Sequence, residues 1–74
     1  MTLYDLAVGK QGKIIKNNEK GAIKQRFMDM GITKGTVIKV IKIAPLGDPI
    51  EIEIRGYNLS VRKDDAREIE IEEM

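Results

Sequence analysis

The sequence predicts a mainly β fold, a small five-stranded barrel with one inserted short α-helix. Three observations support this prediction. Isoleucines alternate with charged residues in the second half of the chain, only one segment has helical periodicity, and five short strand-like runs fit within 74 residues. Short strands at this spacing in so small a chain favour a closed or nearly closed barrel.

Length and composition predict one domain with an aliphatic core. A chain of 74 residues is near the lower size limit for a core without covalent support. It contains no cysteine and no histidine, which excludes disulfides, thiolate metal sites and the usual acid–base residue at neutral pH. Stability must therefore come from packing within a chain that is 42% hydrophobic.

The sequence shows neither a membrane span nor a secretory signal. No apolar run approaches the ~20 residues of a transmembrane helix. The start of the chain, M-T-L-Y-D, lacks the basic segment and apolar core of a signal peptide. We therefore expect a soluble cytoplasmic protein, complete from its own initiator methionine and without direct membrane insertion.

Charge is unevenly distributed along the chain although the net charge is only +1. Residues 1–42 carry nine Lys or Arg and three Asp or Glu, whereas residues 43–74 carry four and nine. In one small domain the two halves interleave in space, so a solvated mixed surface is the main interpretation. A functional basic patch is the alternative.

Residues 50–62 predict a β-hairpin. Isoleucines alternate with charged residues in the first half, and Leu59 and Val61 alternate with polar residues in the second. Between the two runs, Gly56 and Tyr57 fit a type II′ loop, whose first central residue needs a positive φ. An opposite-charge pair across the strands would contribute roughly 0.2–1 kcal/mol. The expected facing pairs are Ile54 with Leu59, Ile52 with Val61, Glu53 with Ser60 and Glu51 with Arg62.

Residues 19–30 are the only helix candidate. Ile23, Phe27 and Met30 recur at i, i+4 and i+7 and form one apolar stripe. A helix this short needs the sheet to pack against. The main interpretation of its apolar residues is core packing, and the alternative is that Met28 is left exposed for docking. The expected caps are Asn18 or Glu19 at the start and Gly31 at the end.

The remaining elements are short. In residues 36–43 apolar side chains occur on both parities, as expected for a strand that bends and serves two sides of a barrel. The other expected elements are a turn capped by Asp5 and ended by Gly9, strands at 13–16 and 68–72, and a single-turn helix near 64–67 capped by Asp64.

The residues offer no arrangement for catalysis or nucleotide binding. Without histidine or cysteine there is no nucleophile–base pair. The strand glutamates alternate with isoleucine, so we expect them to face solvent. Gly31 and Gly35 form a G-x-x-x-G spacing, but the phosphate loop needs a longer motif that follows a strand and opens a helix. The order here is helix, glycines, strand.

Metal and nucleic-acid binding are minor alternatives. Asp48, Asp64 and Asp65 could bind a hard cation, but the chain has no D-x-[DN]-x-[DN]-G loop. Proteins that bind single strands stack bases on aromatic side chains. Only Tyr4, Phe27 and Tyr57 are aromatic, so no nucleic acid is expected. By elimination, we expect the function to be docking.

Two segments resemble a known family. They are R-F-M-D-M-G-I-T-K-G-T-V-I-K-V and A-P-L-G-D-P-I-E-I-E-I-R-G-Y-N-L-S-V-R-K-D-D-A, with G-D-P-I at 47–50 and R-G at 55–56 as the most specific parts. Over nearly its whole length the chain resembles the ferrous iron transport protein A (FeoA) family. The family commonly has leucines in the helix where this chain has Phe27, Met28 and Met30.

The resemblance implies an SH3-like barrel that acts as a cytoplasmic adaptor or regulator. Its implied partner is ferrous iron transporter B, an inner-membrane protein with a GTPase domain, and no cofactor is implied. The alternatives are a small barrel for self-association or nucleic-acid binding, and a regulatory domain that responds to divalent metal. Oligomeric state stays open. The expected contact residues are Met28, Leu46, Gly47, Asp48, Pro49 and Tyr57, and the expected structural residues are Gly31, Gly35, Glu51, Gly56 and Arg62.

Overall fold

A computed structural model describes residues 1–74 and confirms the mainly β fold. Five strands form one antiparallel sheet in the order β4-β3-β2-β1-β5, with the long helix inserted between the first two strands. No ladder joins β4 to β5, so these two strands are the edges of the sheet. The elements are a 3-10 turn (Leu3–Asp5), β1 (Gln11–Asn17), α1 (Gly21–Asp29), β2 (Val37–Ile43), β3 (Ile50–Ile54), β4 (Tyr57–Val61), α2 (Lys63–Ala66) and β5 (Ile69–Glu73).

The β3–β4 hairpin forms, but its loop lies one residue earlier than the sequence predicted. The central residues are Arg55 and Gly56, with φ of 50° and 84°. Two positive φ values are characteristic of a type I′ turn, so the predicted type II′ loop at Gly56 and Tyr57 is wrong. Type I′ matches the right-handed twist of the flanking strands, which favours this loop even with a non-glycine residue at its first position.

The shift of the loop changes the cross-strand partners by two residues. The predicted pair of Glu51 with Arg62 is therefore wrong, because Glu51 lies opposite Ser60. The Glu51 side chain instead accepts a hydrogen bond from Asn58 Nδ2 at 3.1 Å. Since side chains alternate with a period of two, the isoleucines keep the core face despite the shift. The observed pairs are Ile54 with Tyr57, Glu53 with Asn58, Ile52 with Leu59, Glu51 with Ser60 and Ile50 with Val61.

Two irregularities interrupt the ladders of the central strands. The register shifts between Ile14 and Lys16 where β1 pairs with β5, and between Val40 and Lys42 where β2 pairs with β3. An extra residue in a ladder bends the strand and re-aims a side chain. Ile14 remains buried, whereas Ile15 is 43% exposed. The bend in β2 agrees with the two-sided apolar pattern seen in the sequence.

Helix α1 ends as predicted but does not begin as predicted. Lys20 is its N-terminal cap residue, without a side-chain cap, so the expected caps Asn18 and Glu19 are wrong. At the other end Gly31 has a φ of 99°. The Ile32 N–H bonds to the Phe27 carbonyl at 2.9 Å and the Gly31 N–H to the Met28 carbonyl at 3.0 Å, which is the Schellman pattern.

The first short turn uses the predicted Asp5, although Thr2 and not Asp5 is its cap residue, whereas α2 is anchored by Asp48, which the sequence did not assign to it. Thr2 precedes the first turn, and Asp5 accepts hydrogen bonds from its N–H at 2.9 Å and its hydroxyl at 3.1 Å. The bond from the N–H holds the pKa of Asp5 below its usual value. At α2, Arg62 occupies the cap position predicted for Asp64. The Lys63 N–H there donates to Asp48 Oδ1 at 3.0 Å.

One cluster of 14 buried apolar side chains forms the core. It combines the inward residues of all five strands with Phe27 from α1 and Ala66 from α2. Of the predicted stripe on α1, only Phe27 is fully buried, while Ile23 is 42% exposed. The helix therefore contributes a narrow contact to the core, and most of its surface is available to other molecules.

Candidate functional site

The residues expected to contact a partner are exposed but lie in two separate places. Met28 is 42% exposed, Tyr57 is 43% exposed and Leu46 is 93% exposed. Met28 and Tyr57 line one depression, whereas Asp48 and Pro49 line a different cleft, and no cavity contains residues of both groups. The expected contact residues therefore border two separate concave surfaces.

The Met28–Tyr57 depression has a volume of about 320 Å³ and lies at the end of α1. The Tyr57 hydroxyl donates a hydrogen bond to the Met30 carbonyl oxygen, which ties β4 to the end of the helix. Arg55 lines the same depression and lies close to Gly31. A Cβ added at Gly31 would lie 3.0 Å from Arg55 Cδ. A side chain at Gly31 would displace Arg55, so glycine serves both the positive φ and this close approach.

The second cavity is a cleft of about 480 Å³ between α1, the β2–β3 loop, β4 and α2. Arg26 and Arg62 both line it, and neither forms an ion pair, since the only ion pair joins Arg67 to Asp64 at 3.5 Å. Asp48 lines the same cleft while its Oδ1 holds the backbone of α2. Asp48 thus has a structural bond, whereas Leu46 in the same loop is 93% exposed.

A third cavity was not foreseen from the sequence. It measures about 270 Å³ and lies between β1, α1 and the segment after α1. We call it the lysine-rimmed groove, and it is lined by Ile15, Lys16, Asn17, Lys24, Met28, Ile32, Thr33 and Lys34. Ile15 faces outward by ordinary alternation after the buried Ile14, and the irregularity in β1 leaves Lys16 exposed beside it and turns Asn17 inward. Two adjacent isoleucines in a strand that otherwise alternates were the only sequence signal for it.

Asn17 is the one buried polar residue of the chain, with 9% of its surface exposed. Its Oδ1 accepts a hydrogen bond from the Glu19 N–H at 2.9 Å, which fixes the orientation of the amide. Its Nδ2 has no partner. A buried donor without a partner costs about 1–3 kcal/mol in stability. The Nδ2 group is therefore able to donate a hydrogen bond to a ligand.

Glu19 is the most perturbed ionisable residue. Burial, followed by the neighbouring carboxylates of Asp65 and Glu68, raises its pKa to about 7. Its Oε1 is buried without a hydrogen-bond partner. Near neutral pH the side chain therefore changes between its protonated and ionised forms.

The remaining structural residues lie at turns and strand ends. Gly35 donates its N–H to the Ile14 carbonyl at 2.7 Å, which closes the connection between α1 and β2 onto β1. Gly56 occupies the hairpin loop, and Arg62 lines the cleft described above. Of the three aspartates considered for cation binding, Asp48 bonds to Lys63, Asp64 pairs with Arg67 and Asp65 lies beside Glu19.

No group of three or more His, Cys, Asp or Glu side chains is placed to hold a metal ion. None of the helices has the length and apolar character needed to cross a membrane. The features that stand out are exposed apolar side chains in concave surfaces beside unpaired cationic side chains.

Comparison with known proteins identifies the family. A family model described as the FeoA domain matches residues 1–73. A Fe(2+) transport protein A/Fe(2+) transporter FeoB fusion protein from Porphyromonas gingivalis is 39% identical over 72 residues. That match covers 97% of this chain and 8% of the relative, so the chain spans only a small part of that protein.

Solved structures show the same fold. The solution NMR structure of FeoA from Chlorobium tepidum is 34% identical with a TM-score of 0.95, and the match covers 100% of this chain and 70% of that one. A FeoA from Stenotrophomonas maltophilia, described as an SH3 domain protein, is 20% identical with a TM-score of 0.86 over 97% of this chain and 89% of that one. The chain therefore belongs to the FeoA family, with an SH3-like fold and a link to ferrous iron transport.

Proposed function

We propose that this chain is a non-catalytic cytoplasmic adaptor or regulator of ferrous iron uptake that docks on the GTPase-containing part of ferrous iron transporter B. The observation that carries the proposal is the Porphyromonas gingivalis relative, whose name joins FeoA and FeoB in one fusion protein. Joining two modules in one chain raises their effective concentration to the millimolar range when the linker is short. Such a fusion supports physical association between this type of domain and FeoB.

The side chains of this domain favour a binding role. The chain has no histidine or cysteine to act as a base or nucleophile. Its exposed apolar residues, in contrast, include Met28 on α1 and Tyr57 at the start of β4. Both belong to the Met28–Tyr57 depression, and the hydrogen bond from Tyr57 to Met30 holds the two elements together before binding. A surface that is already ordered loses less conformational entropy when a partner binds.

We place the main contact on the Met28 side of α1 and a second contact on the β2–β3 loop, with Leu46 at its tip. The loop borders a different cavity from that of Met28, through Asp48 and Pro49, so we expect the two positions to make separable contributions to binding. Removing an exposed apolar side chain that becomes buried in a complex should weaken binding by about tenfold. Met28→Ser and Leu46→Ser test the two positions independently.

The test is calorimetric titration of this protein with the soluble cytoplasmic domain of the FeoB from the same organism, with GDP and with a GTP analogue. We expect saturable binding that changes with the nucleotide. Absence of binding in both nucleotide states, repeated with detergent-solubilised full-length FeoB, would refute the proposal. Binding that collapses between low and moderate salt would instead indicate contacts dominated by charge.

A further inference from the structure

The lysine-rimmed groove has an apolar floor that the fold leaves open. Ile15 is 43% exposed and Met28 is 42% exposed, whereas Ile32 beneath them is fully buried. Ile15 follows the buried Ile14 and so faces outward, and the register irregularity in β1 places Lys16 on the same exposed side. Single exposed apolar residues are ordinary, but apolar side chains that together line a concavity mark an interaction site.

The rim of this groove carries charge of one sign. Lys16, Lys24 and Lys34 line it, and no aspartate or glutamate does. None of the three lysines forms an ion pair. This concentration of positive charge contrasts with a net charge of only +1 for the whole chain. A one-sided rim favours an acidic ligand and disfavours a basic one, because like charges brought together at an interface are costly.

Asn17 adds a directional group to the groove. It lines the groove, is nine-tenths buried and keeps an unpaired Nδ2 donor. Neighbouring atoms cover Nδ2 in the free protein, so an acceptor reaches it when those atoms shift and the Oδ1 bond to the Glu19 N–H is kept. A carbonyl or carboxylate oxygen on a ligand would then satisfy a donor that has no partner in the free protein.

The size of the groove limits what it can hold. At about 270 Å³ it is smaller than the roughly 300–1,000 Å³ of sites that enclose a whole small molecule. It is large enough for an apolar side chain with flanking backbone. Its concave shape and recessed donor also favour a peptide over a flat lipid surface, which cannot reach into a depression.

We propose that the lysine-rimmed groove binds an acidic segment of a protein partner, with an apolar side chain against Ile15 and Met28, above the buried Ile32, and carboxylates at the lysines. Naming that partner as FeoB rests on the function proposed above. The acidic and apolar character of the segment rests only on the residues that line the groove. The apolar contact supplies most of the affinity, since exposed charge pairs contribute little. The lysines supply selectivity and a faster association rate.

The first test uses NMR with isotope-labelled protein and a synthetic peptide of glutamates and aspartates around a Leu-Leu pair. The matched control peptide has lysine in place of every acidic residue. We expect the acidic peptide to shift the methyl resonances of Ile15, Met28 and Ile32 and the side-chain amide of Asn17. The control peptide keeps the Leu-Leu pair but meets like charge at the lysines, so it should shift these resonances much less at the same concentration. Unchanged groove resonances with the acidic peptide would overturn the proposal.

Charge reversal tests the rim. The double change Lys24→Glu with Lys34→Glu should weaken binding of the acidic peptide by about tenfold or more. The matched control is Lys10→Glu, an exposed lysine in a turn that lines no cavity. Equal loss in the control would overturn the assignment to this groove. Thermal unfolding of each variant shows whether the fold is retained, and Met28→Ser supplies an uncharged variant of the same site.

Failure of this inference can be told apart from failure of the proposed function. If the FeoB domain binds the wild type and the Lys24→Glu with Lys34→Glu variant equally, the groove is not its docking site and the inference fails alone. If the FeoB domain does not bind but the acidic peptide shifts the groove, the function fails alone. The groove resonances could instead shift with anionic phosphatidylglycerol vesicles and not with the peptide, which would overturn the choice of a peptide partner. The same conclusion would follow if these resonances shifted as the protein dimerised at higher concentration.

Discussion

The hydroxyl of Tyr57 donates a hydrogen bond to the carbonyl oxygen of Met30. Met30 is the C-terminal cap residue of α1, where the last carbonyls lack partners within the helix. Tyr57 begins β4, directly after the hairpin loop. One side chain therefore joins the helix end to an edge strand, and it forms a wall of the depression that we propose as a contact surface.

Removal of this hydroxyl should loosen the end of α1 without disturbing the core. Tyr57→Phe removes the donor but keeps the ring, so we expect a loss of about 0.5–1.5 kcal/mol in the free energy of unfolding, measured in urea. Tyr4→Phe is the matched control, because Tyr4 is also exposed and its hydroxyl makes no hydrogen bond within the protein. Equal stability of both variants would mean that the Tyr57 bond contributes nothing.

The stability cost of a substitution in the hairpin loop should depend only on the backbone conformation at that position. A Cβ at Gly56 would meet no atom within 4 Å, so a cost of Gly56→Val cannot come from crowding. The positive φ of 84° is the reason for the cost, which we expect to be about 1–2 kcal/mol in thermal unfolding.

The comparison variant changes the preceding residue. Arg55 has a φ of 50°, which suits asparagine better than arginine. Arg55→Asn should therefore stabilise the hairpin by up to about 1 kcal/mol. Either an unchanged melting temperature for Gly56→Val or a lower one for Arg55→Asn would contradict this prediction. It would mean that the positive φ values of the type I′ loop do not determine how these substitutions affect stability.

The hairpin also illustrates what the sequence could predict. A strand with period two reveals its buried face, and that face is the same whether the loop is Arg55–Gly56 or Gly56–Tyr57. The two loops differ by two residues in pairing, so alternation cannot choose between them. The choice depends on strand twist, which is a three-dimensional property, and the predicted Glu51–Arg62 pair was wrong for that reason.

The candidate site was predicted only in part for a similar reason. Exposure of Met28 was foreseen as an alternative, since helical spacing puts it beside the stripe that includes Phe27 and Met30. The groove next to it was not foreseen, because it needs a ladder irregularity that leaves both Ile15 and Lys16 exposed and turns Asn17 inward. Either of two adjacent isoleucines can occupy the inward position, and pairing with β5 decides which one does. Local sequence does not contain that information.

Stability should depend on pH through Glu19. Its pKa in the folded protein is raised to about 7 from an ordinary value of 4.5, so the folded state holds this proton more tightly than the unfolded state. The stabilising effect is fully present below pH 4.5 and is lost as pH rises through about 7. The groups that face Glu19 are Asp65 on α2 and Glu68 before β5, and both oppose its ionisation.

Glu19→Gln should remove this dependence. We expect the variant to have a higher melting temperature than the wild type at pH 8 and no advantage at pH 4. For a domain of this size, about 1 kcal/mol corresponds to roughly 4–8 °C. Glu53→Gln, which changes an exposed carboxylate on β3, should follow the wild type across the range. Parallel curves for wild type and Glu19→Gln would show that Glu19 does not titrate in this way.

Adjacent residues on α1 should separate stability from binding. Phe27 is 3% exposed and belongs to the core, so Phe27→Ala should cost about 3–5 kcal/mol and leave the domain largely unfolded at moderate temperature. Phe27→Leu keeps most of the apolar volume and should remain folded with a smaller loss in the free energy of unfolding.

Met28 is half exposed, and Met28→Ala should change the free energy of unfolding by less than about 1 kcal/mol. It should nevertheless weaken association with the FeoB domain. A Met28→Ala variant that binds like the wild type, or a Phe27→Leu variant that folds normally but loses binding, would move the contact surface away from the exposed side of this helix.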